Sequence, residues 1–200
     1  MMTILHISDT HGLHCQLNHL PAADIIVHSG DITTNGTEEE VFDFINWFCD
    51  LPYKYKIFIA GNHDTILSGV TLDGLDDNCY YLDGSSVVID GLKFHGIPLF
   101  INEQQNCTLK HKIEQIPLDT NVLITHFPPY GILDYADDMH YGDFDLLQKV
   151  SEVNPKLHLF GHIHSQNGIQ TISYTTFSNA SLLSSDESCL NDTNFKLFTL

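Results

Sequence analysis

The hydrophobic residues of the chain fall into short continuous runs, each followed by small, polar or charged residues. The runs are TILHIS, DIIVHSG and KIFIAG in the first third of the chain, and NVLITH and KLHLFGH further on. A run of four to eight apolar residues bounded by turn formers is typical of a buried strand. We therefore predict five buried strands.

Two segments have helical rather than strand periodicity. In TEEEVFDFINWF, Thr37 and Glu40 have the spacing of a capping box, which marks the start of a helix. The apolar face predicted for this helix consists of Val41, Phe42, Phe44, Ile45 and Phe48. DFDLLQKVSEV predicts a second helix. Strands that alternate with helices predict an α/β layer whose functional loops follow the C-terminal ends of the strands.

The middle of the chain has a different pattern. CYYLDGSSVVIDGLKFHGIP contains short apolar runs interrupted at Asp83-Gly84 and Asp90-Gly91, and such dipeptides are typical of hairpins. We expect a second sheet here. Near the end of the chain, GIQTISYTTFSNAS and NFKLFTL are predicted to be closing strands. No repeat or linker divides the chain, so we predict a single domain over residues 1–200.

Composition narrows the classes of partner. Hydrophobic residues make up 42% of the 200 residues, enough for a full core, and the formal net charge is −18. This excess of carboxylates argues against binding a long nucleic acid. No apolar stretch reaches the roughly 18 residues of a membrane helix, and the first residues lack the basic region of a secretory signal. We therefore expect a cytoplasmic protein without a membrane partner.

The cysteines do not indicate a metal or disulfide framework. There are five, widely spaced and without a C-x-x-C pair: Cys15, Cys49, Cys79, Cys107 and Cys189. We expect reduced, structural thiols.

Acidic, amide and imidazole side chains follow the predicted strands. They occur in SDTHG, SGD, AGNHD, TH and GHIH. If the strands lie side by side, seven donors without cysteine surround a common point, which suits two ions sharing a carboxylate better than one tetrahedral ion. In extended backbone, residues spaced i and i+2, such as Asp9 and His11 or His162 and His164, project to the same side.

These motifs, D-x-H, G-D, G-N-H-D, a later histidine and G-H-x-H in this order, resemble the calcineurin-like metallophosphoesterase superfamily. THFPPYGILD, PKLHLFGHIH and FSNAS are similar to its smaller branch of metallophosphoesterase-domain-containing proteins, related to class III cyclic-nucleotide phosphodiesterases. The resemblance implies an α/β fold of four layers, in which a two-sheet β-sandwich is flanked by helices.

The resemblance also implies a role for each residue. One metal ion would be held by Asp9, His11 and His164, and the other by Asn62, His126 and His162. Asp31 would bridge the two ions. His63 would lie near the leaving-group oxygen as a general acid or a charge stabiliser, and Asp64 would orient it.

The implied chemistry is metal-dependent hydrolysis of a phosphoester. Two divalent ions about 4 Å apart lower the pKa of a bridging water, so that hydroxide attacks phosphorus in line. Nitrogen and oxygen ligands admit manganese, which we expect first, and also iron, zinc, cobalt or nickel.

The second motif narrows the substrate. Ser/Thr protein phosphatases of the superfamily have G-D-x-V-D-R-G, whereas GDITTNG has Thr34 and Asn35 at the last aspartate and arginine positions, and the 200 residues contain no arginine. Arginine is the usual clamp for a doubly charged phosphate, so a small phosphodiester is the expected substrate. A phosphomonoesterase, or a scaffold without catalysis, is the alternative.

The remaining histidines are assigned by their position in the pattern. We expect four to be buried in the sheets: His6, His28, His95 and His158. Three are expected to be solvated: His14, His19 and His111. His140 lies in a segment similar to one near the substrate in the related branch, which leaves both a substrate-side and a structural role open.

Overall fold

A computed structural model describes residues 1–100, 103–184, 189–191 and 193–200. Its strands and α-helices, in chain order, are β1 (Thr3–Ile7), β2 (Ile25–His28), α1 (Glu38–Asp50), β3 (Tyr55–Phe58), β4 (Cys79–Tyr81), β5 (Ser85–Ile89), β6 (Leu92–Ile97), α2 (Glu103–Glu114), β7 (Val122–Thr125), β8 (Tyr135–Ala136), β9 (Met139–His140), α3 (Phe144–Val153), β10 (Leu157–Phe160), β11 (Gly168–Ile172), β12 (Thr175–Asn179) and β13 (Lys196–Thr199). Short 3-10 turns span His14–Gln16, Thr65–Leu67 and His164–Gln166.

The strands form two large sheets. The first has the order β13-β1-β2-β3-β4 and the second the order β11-β12-β10-β7-β6-β5. Strands β1 to β4 are parallel to one another, as are β12, β10, β7 and β6. All five buried strands, the second sheet and the closing strands predicted from the sequence are confirmed.

The two sheets pack face to face, with helices on the outer sides. Side chains of the first sheet such as Ile4 and Ile57 share a fully buried cluster with Val122 and Leu159 of the second sheet. Helix α1 covers the other face of the first sheet, and α2 and α3 cover the second. The order helix, sheet, sheet, helix confirms the four-layer fold.

Helix α1 begins at the predicted capping box, but its buried apolar face is narrower than the predicted one. The Thr37 side chain accepts a hydrogen bond from the backbone N–H of Glu40, and the Glu40 side chain accepts one from Thr37, completing the capping box. Phe44 and Phe48 are fully buried, and each contributes about 1.5–3 kcal/mol of hydrophobic stabilisation. Phe42 is 56% exposed and lies on the solvent face, so its assignment to the apolar face was wrong.

Three local features differ from the prediction. Asp90-Gly91 does join the hairpin β5–β6, but Asp83-Gly84 leads from β4 in the first sheet to β5 in the second. Helix α2 was not predicted, because its sequence EQQNCTLKHKIE is mostly polar and lacks a clear apolar face. Among the histidines expected to be solvated, His19 and His111 are exposed, but His14 is buried under α1.

No helix in the described ranges combines the length and apolar character that crossing a membrane requires.

Candidate metal centre

The C-terminal ends of five parallel strands bring the predicted site residues together. Loops after β1, β2 and β3 come from the first sheet, and loops after β7 and β10 come from the second. The loops are joined directly: the N–H of His162 donates to both carboxylate oxygens of Asp9 at 3.0 and 3.1 Å. The Nδ1 of His126 lies 2.9 Å from the carbonyl oxygen of Ser29. The site therefore spans the seam between the two sheets.

One group of potential ligands consists of Asp9, His11 and His164. Each offers one ligand atom, and these atoms lie within 4.8 Å of one another. The Nε2 of His164 is 3.4 Å from Asp9 Oδ1. Asp9 is fully buried, and the buried Nε2 of His11 has no hydrogen-bond partner among the described residues. A buried nitrogen without a partner is costly unless a ligand satisfies it.

The second group consists of Asp31, His126 and His162, with ligand atoms equally close. Asn62 belongs to it, because its Oδ1 lies 3.1 Å from His126 Nε2. The Oδ2 of Asp31 lies 3.2 Å from His126 Nε2 and 3.5 Å from His11 Nε2. The Asp31 carboxylate therefore lies between the two groups.

The backbone at these strand ends is not extended. Asp9, His11, Asp31 and His162 all have positive φ, from 43° to 70°, a region that is uncommon for residues with a side chain. The expectation that i, i+2 pairs face one side through extended backbone was wrong. The paired donors meet because tight left-handed turns redirect them, and such strain clusters at functional sites.

Two glycines allow the loops to approach the carboxylates. A Cβ at Gly61 would lie 2.2 Å from Asp31 Oδ1, and a Cβ at Gly161 would lie 2.0 Å from Asp9 Oδ2. Non-bonded atoms do not approach one another this closely, so any side chain at these two positions would displace a candidate ligand.

The carboxylates control the protonation of the metal-free centre. Although burial opposes charge, the neighbouring Asp31 carboxylate raises the pKa of His126 to about 9. Burial also acts on Asp9, but a hydrogen bond from His164 and the charge of His126 hold the pKa of Asp9 well below its usual range. Burial lowers the pKa of His162 to about 4, so that this ring is neutral and ready to bind a metal ion.

His63 lies at the open side of the centre. Its ring is exposed and stands edge-on to the His11 ring at a centroid distance of 4.7 Å. Its Nδ1 lies 2.9 Å from the Thr34 carbonyl oxygen, so Nδ1–H donates to that oxygen and Nε2 is left for other partners. The orienting contact from Thr34 is a backbone interaction that sequence reasoning missed.

The Asp64 carboxylate points inward. It accepts hydrogen bonds from the backbone N–H groups of Ile32, Thr33 and Gly61 and from the Thr33 hydroxyl. Burial and the charge of Asp31 raise the pKa of Asp64 to about 6. The Asp64 carboxylate therefore joins the loops after β2 and β3, and the ring of His63 is held by the Thr34 carbonyl oxygen instead.

A cleft of about 340 Å³ adjoins the centre, lined by His162 and His164 on one side and by Ala136, Asp137 and Tyr141 on the other. The hairpin β8–β9, which was not predicted, forms that second side. His140 lies on this hairpin, half-exposed, with its Nδ1 2.8 Å from the buried Asp134 carboxylate. The hairpin is a candidate wall for a substrate.

The donor set fits divalent metal ions. All seven predicted ligands lie in the two groups, they supply only imidazole nitrogen and carboxylate or amide oxygen, and one carboxylate is shared. Fold and site together define a metallophosphoesterase.

The comparisons with known proteins agree with this class. The family model for the calcineurin-like phosphoesterase matches residues 2–166, and the chain belongs to that family. Membership implies metal-dependent hydrolysis of a phosphoester.

Among similar sequences, UPF0046 protein K07C11.7 of Caenorhabditis elegans is 37% identical over 205 residues, covering 90% of this chain and 69% of the relative. Metallophosphoesterase domain-containing protein 1 of Homo sapiens is 33% identical over 211 residues, and the match covers 88% of this chain and 64% of that relative. The solved structure of TT1561 of Thermus thermophilus shares the fold, with a TM-score of 0.60 at 13% identity, over 90% of this chain and 89% of that one.

Proposed function

We propose that the protein is a dinuclear metal-dependent phosphodiesterase acting on cyclic nucleotides or small nucleotide-like diesters. The observation that carries the proposal is the position of Asp31. Its Oδ2 lies 3.5 Å from a nitrogen of one ligand group and 3.2 Å from a nitrogen of the other. A carboxylate between two sets of ligands is what a pair of ions sharing one bridge requires.

Each residue has a role in this reaction. Asp9, His11 and His164 would hold one ion, Asn62, His126 and His162 would hold the other, and Asp31 would bind both. Divalent ions at these positions, manganese first, supply Lewis acidity toward phosphate oxygens and lower the pKa of water. The Thr34 carbonyl oxygen holds the His63 ring so that Nε2, when protonated, donates its proton to the departing alkoxide oxygen.

The charges of the described residues favour a diester over a monoester. Five lysines form ion pairs with carboxylates outside the seven-ligand set: Lys54–Asp90, Lys93–Asp119, Lys110–Asp145, Lys112–Asp83 and Lys149–Glu152. At the position of the phosphatase arginine, the backbone N–H of Asn35 instead donates to the Glu40 carboxylate. A diester has a single negative charge and needs less cationic compensation.

The test is a kinetic comparison on one manganese-loaded preparation. We expect about two manganese ions per chain and a higher kcat/KM for bis(p-nitrophenyl) phosphate and cyclic nucleotides than for p-nitrophenyl phosphate. His63→Asn should lower kcat by about 10²–10⁴-fold, the usual contribution of a general acid, with the manganese content unchanged. His19→Asn is the matched control, because His19 is exposed and outside the centre.

Three results would contradict the proposal. A higher kcat/KM for monoesters would make the protein a phosphomonoesterase. Saturation at one manganese ion per chain would exclude a dinuclear centre. Equal, negligible rates for the wild type and His63→Asn on every ester, with metal bound to both, would favour a scaffold.

A further inference from the structure

A second cluster of ligand-type side chains lies away from the metal centre, between the turn His14–Gln16 and helix α1. It consists of His14, Cys15 and Asp43, whose ligand atoms lie within 4.8 Å of one another. The Nε2 of His14 is 3.2 Å from Asp43 Oδ2. Cys15 and Asp43 are exposed, whereas His14 is fully buried. The cluster therefore has a buried nitrogen at its base and a side open to solvent.

His14 is not explained by the fold alone. Its ring packs against Phe44 and Trp47 of α1, its Nε2 has the Asp43 carboxylate of the same cluster at 3.2 Å, and its buried Nδ1 has no hydrogen-bond partner within the described part of the chain. Burying a polar atom without a partner costs about 1–3 kcal/mol. A phenylalanine or leucine would fill this space without that cost, so the imidazole calls for a ligand.

We propose that His14, Cys15 and Asp43 form a third metal site that takes Zn²⁺ or another thiophilic divalent ion, separate from the strand-end centre. Imidazole, thiolate and carboxylate are the three protein ligands that zinc uses, and a water can complete a tetrahedron on the exposed side.

The spacing of His14 and Asp43 suits one tetrahedral ion, and the ligand atom of Cys15 lies within 4.8 Å of theirs. With zinc–nitrogen and zinc–oxygen bonds of about 2.0–2.2 Å and a zinc–sulfur bond of about 2.3 Å, ligand atoms on a tetrahedron lie about 3.3–3.8 Å apart. The 3.2 Å between His14 and Asp43 is already close to that value. Binding breaks the S–H bond of Cys15, the thiolate keeps the electron pair, and the proton leaves to solvent.

An ion here would join two elements next to the catalytic loops. The turn His14–Gln16 directly follows the loop that carries Asp9 and His11, and α1 follows the loop that carries Asp31. Zinc would therefore connect both loops through one point outside the centre and stabilise the native state in proportion to its affinity.

Cobalt binding can be observed at this site without a signal from the strand-end centre. A cobalt–thiolate bond gives a charge-transfer absorption in the near ultraviolet, and none of the seven ligands of the centre is a cysteine. We expect this band when Co²⁺ is added to manganese-loaded wild-type protein. Cys15→Ser should abolish it, and Cys189→Ser, an exposed cysteine elsewhere, should retain it. Both substitutions are at the surface, so both variants should fold.

A second readout locates the ion. Trp47 is the only tryptophan of the 200 residues, and its ring lies 4.9 Å from that of His14. Bound Co²⁺ should quench its fluorescence in the wild type and in Cys189→Ser. Zinc should displace the cobalt, and Cys15→Ser and Asp43→Asn should each bind zinc at least about 10-fold more weakly.

The proposal fails if the thiolate band is absent in the wild type. It also fails if the band and the quenching survive in Cys15→Ser, because the sulfur would then come from another cysteine. Neither result bears on the manganese centre, whose metal content and activity are measured separately.

Discussion

Two sets of histidines lie in the two sheets, one in the loops that follow the strands and one inside the strands. The strand-end histidines are His11, His126, His162 and His164, and the strand-interior histidines are His6, His28, His95 and His158. One member of each set, His126 and His158, is completely buried. They differ in what lies beside the ring.

Carboxylates account for the difference. His126 adjoins Asp31, and its pKa is raised to about 9. His158 has the hydroxyl of Thr125 at 2.9 Å and aromatic rings around it, and burial lowers its pKa to about 3. Two equally buried imidazoles therefore differ in charge: His126 is the charged partner of an acid at a strand end, and His158 is a neutral residue inside a sheet.

The two strongest predictions concern the strand ends. Asp31→Asn keeps the shape of the side chain and removes its charge. In the proposed function Asp31 bridges two ions, and losing such a ligand would cost several kcal/mol, so we expect kcat to fall by about 10³-fold or more. In the metal-free protein the pKa of His126 should fall below about 9, measured by NMR titration of the imidazole. An unchanged pKa would show that Asp31 is not the cause of the difference between His126 and His158.

Gly161→Ala tests the close approach of the loops. Its Cβ would lie 2.0 Å from Asp9 Oδ2, so the carboxylate must move away from His11 and His164. Misplacement of a catalytic ligand by about 1 Å costs about 10²-fold in kcat. Gly168→Ala is the control, because a Cβ at Gly168 would have its nearest neighbouring atoms 3.6 Å away and the φ of Gly168 is not positive. Equal activity of the two variants would contradict the steric argument.

The interior set should affect stability and its pH dependence rather than activity. The folded-state pKa of His158 is about 3 and its unfolded value is about 6.5, so its stabilisation is present above pH 6.5 and is lost as the pH falls toward 3. Between pH 7.5 and 5.5, the free energy of unfolding of the metal-free wild type should fall because of His158. In His158→Gln this fall should be smaller than in the wild type by about 1.4 kcal/mol. Urea denaturation at both pH values measures this. An identical pH dependence in the wild type and the variant would show that protonation of His158 does not contribute to the pH dependence of stability.

The smallest effect is expected farthest from the centre. Ser86 lies 2.8 Å from Nδ1 of His95, at the exposed side of the second sheet. Ser86→Ala removes this hydrogen bond and should lower the free energy of unfolding by about 0.5–1.5 kcal/mol, measured by thermal or urea denaturation. Activity should not change, and a loss of activity would mean that the interior set is coupled to the centre.

Much of the fold was accessible from the sequence because burial acts on local patterns. The apolar runs predicted β1, β2, β3, β7 and β10, and the Thr37 and Glu40 spacing predicted the start of α1. Helix α2 and the hairpin β8–β9 were not predicted, because polar helices and two-residue strands lack such an apolar pattern. His14 was assigned to solvent, whereas it is buried by Phe44 and Trp47, which lie about 30 residues away in the chain.

The candidate site divides in the same way. The residue types and their order along the chain are properties of the sequence, and they were enough to name seven candidate ligands. The sequence could not show that tight turns with positive φ, rather than extended backbone, direct these side chains, because φ at a loop residue depends on what packs around it.

By itself, the sequence determined the five buried strands, the start of α1 and the set of donor atoms, because each depends on residues close together in the chain. Only the tertiary structure decided that Asp31 lies between two ligand groups and that the Thr34 carbonyl holds His63. It also decided which histidines face carboxylates. Those relations join loops from two different sheets, and distances across that seam follow from the packing of the whole molecule.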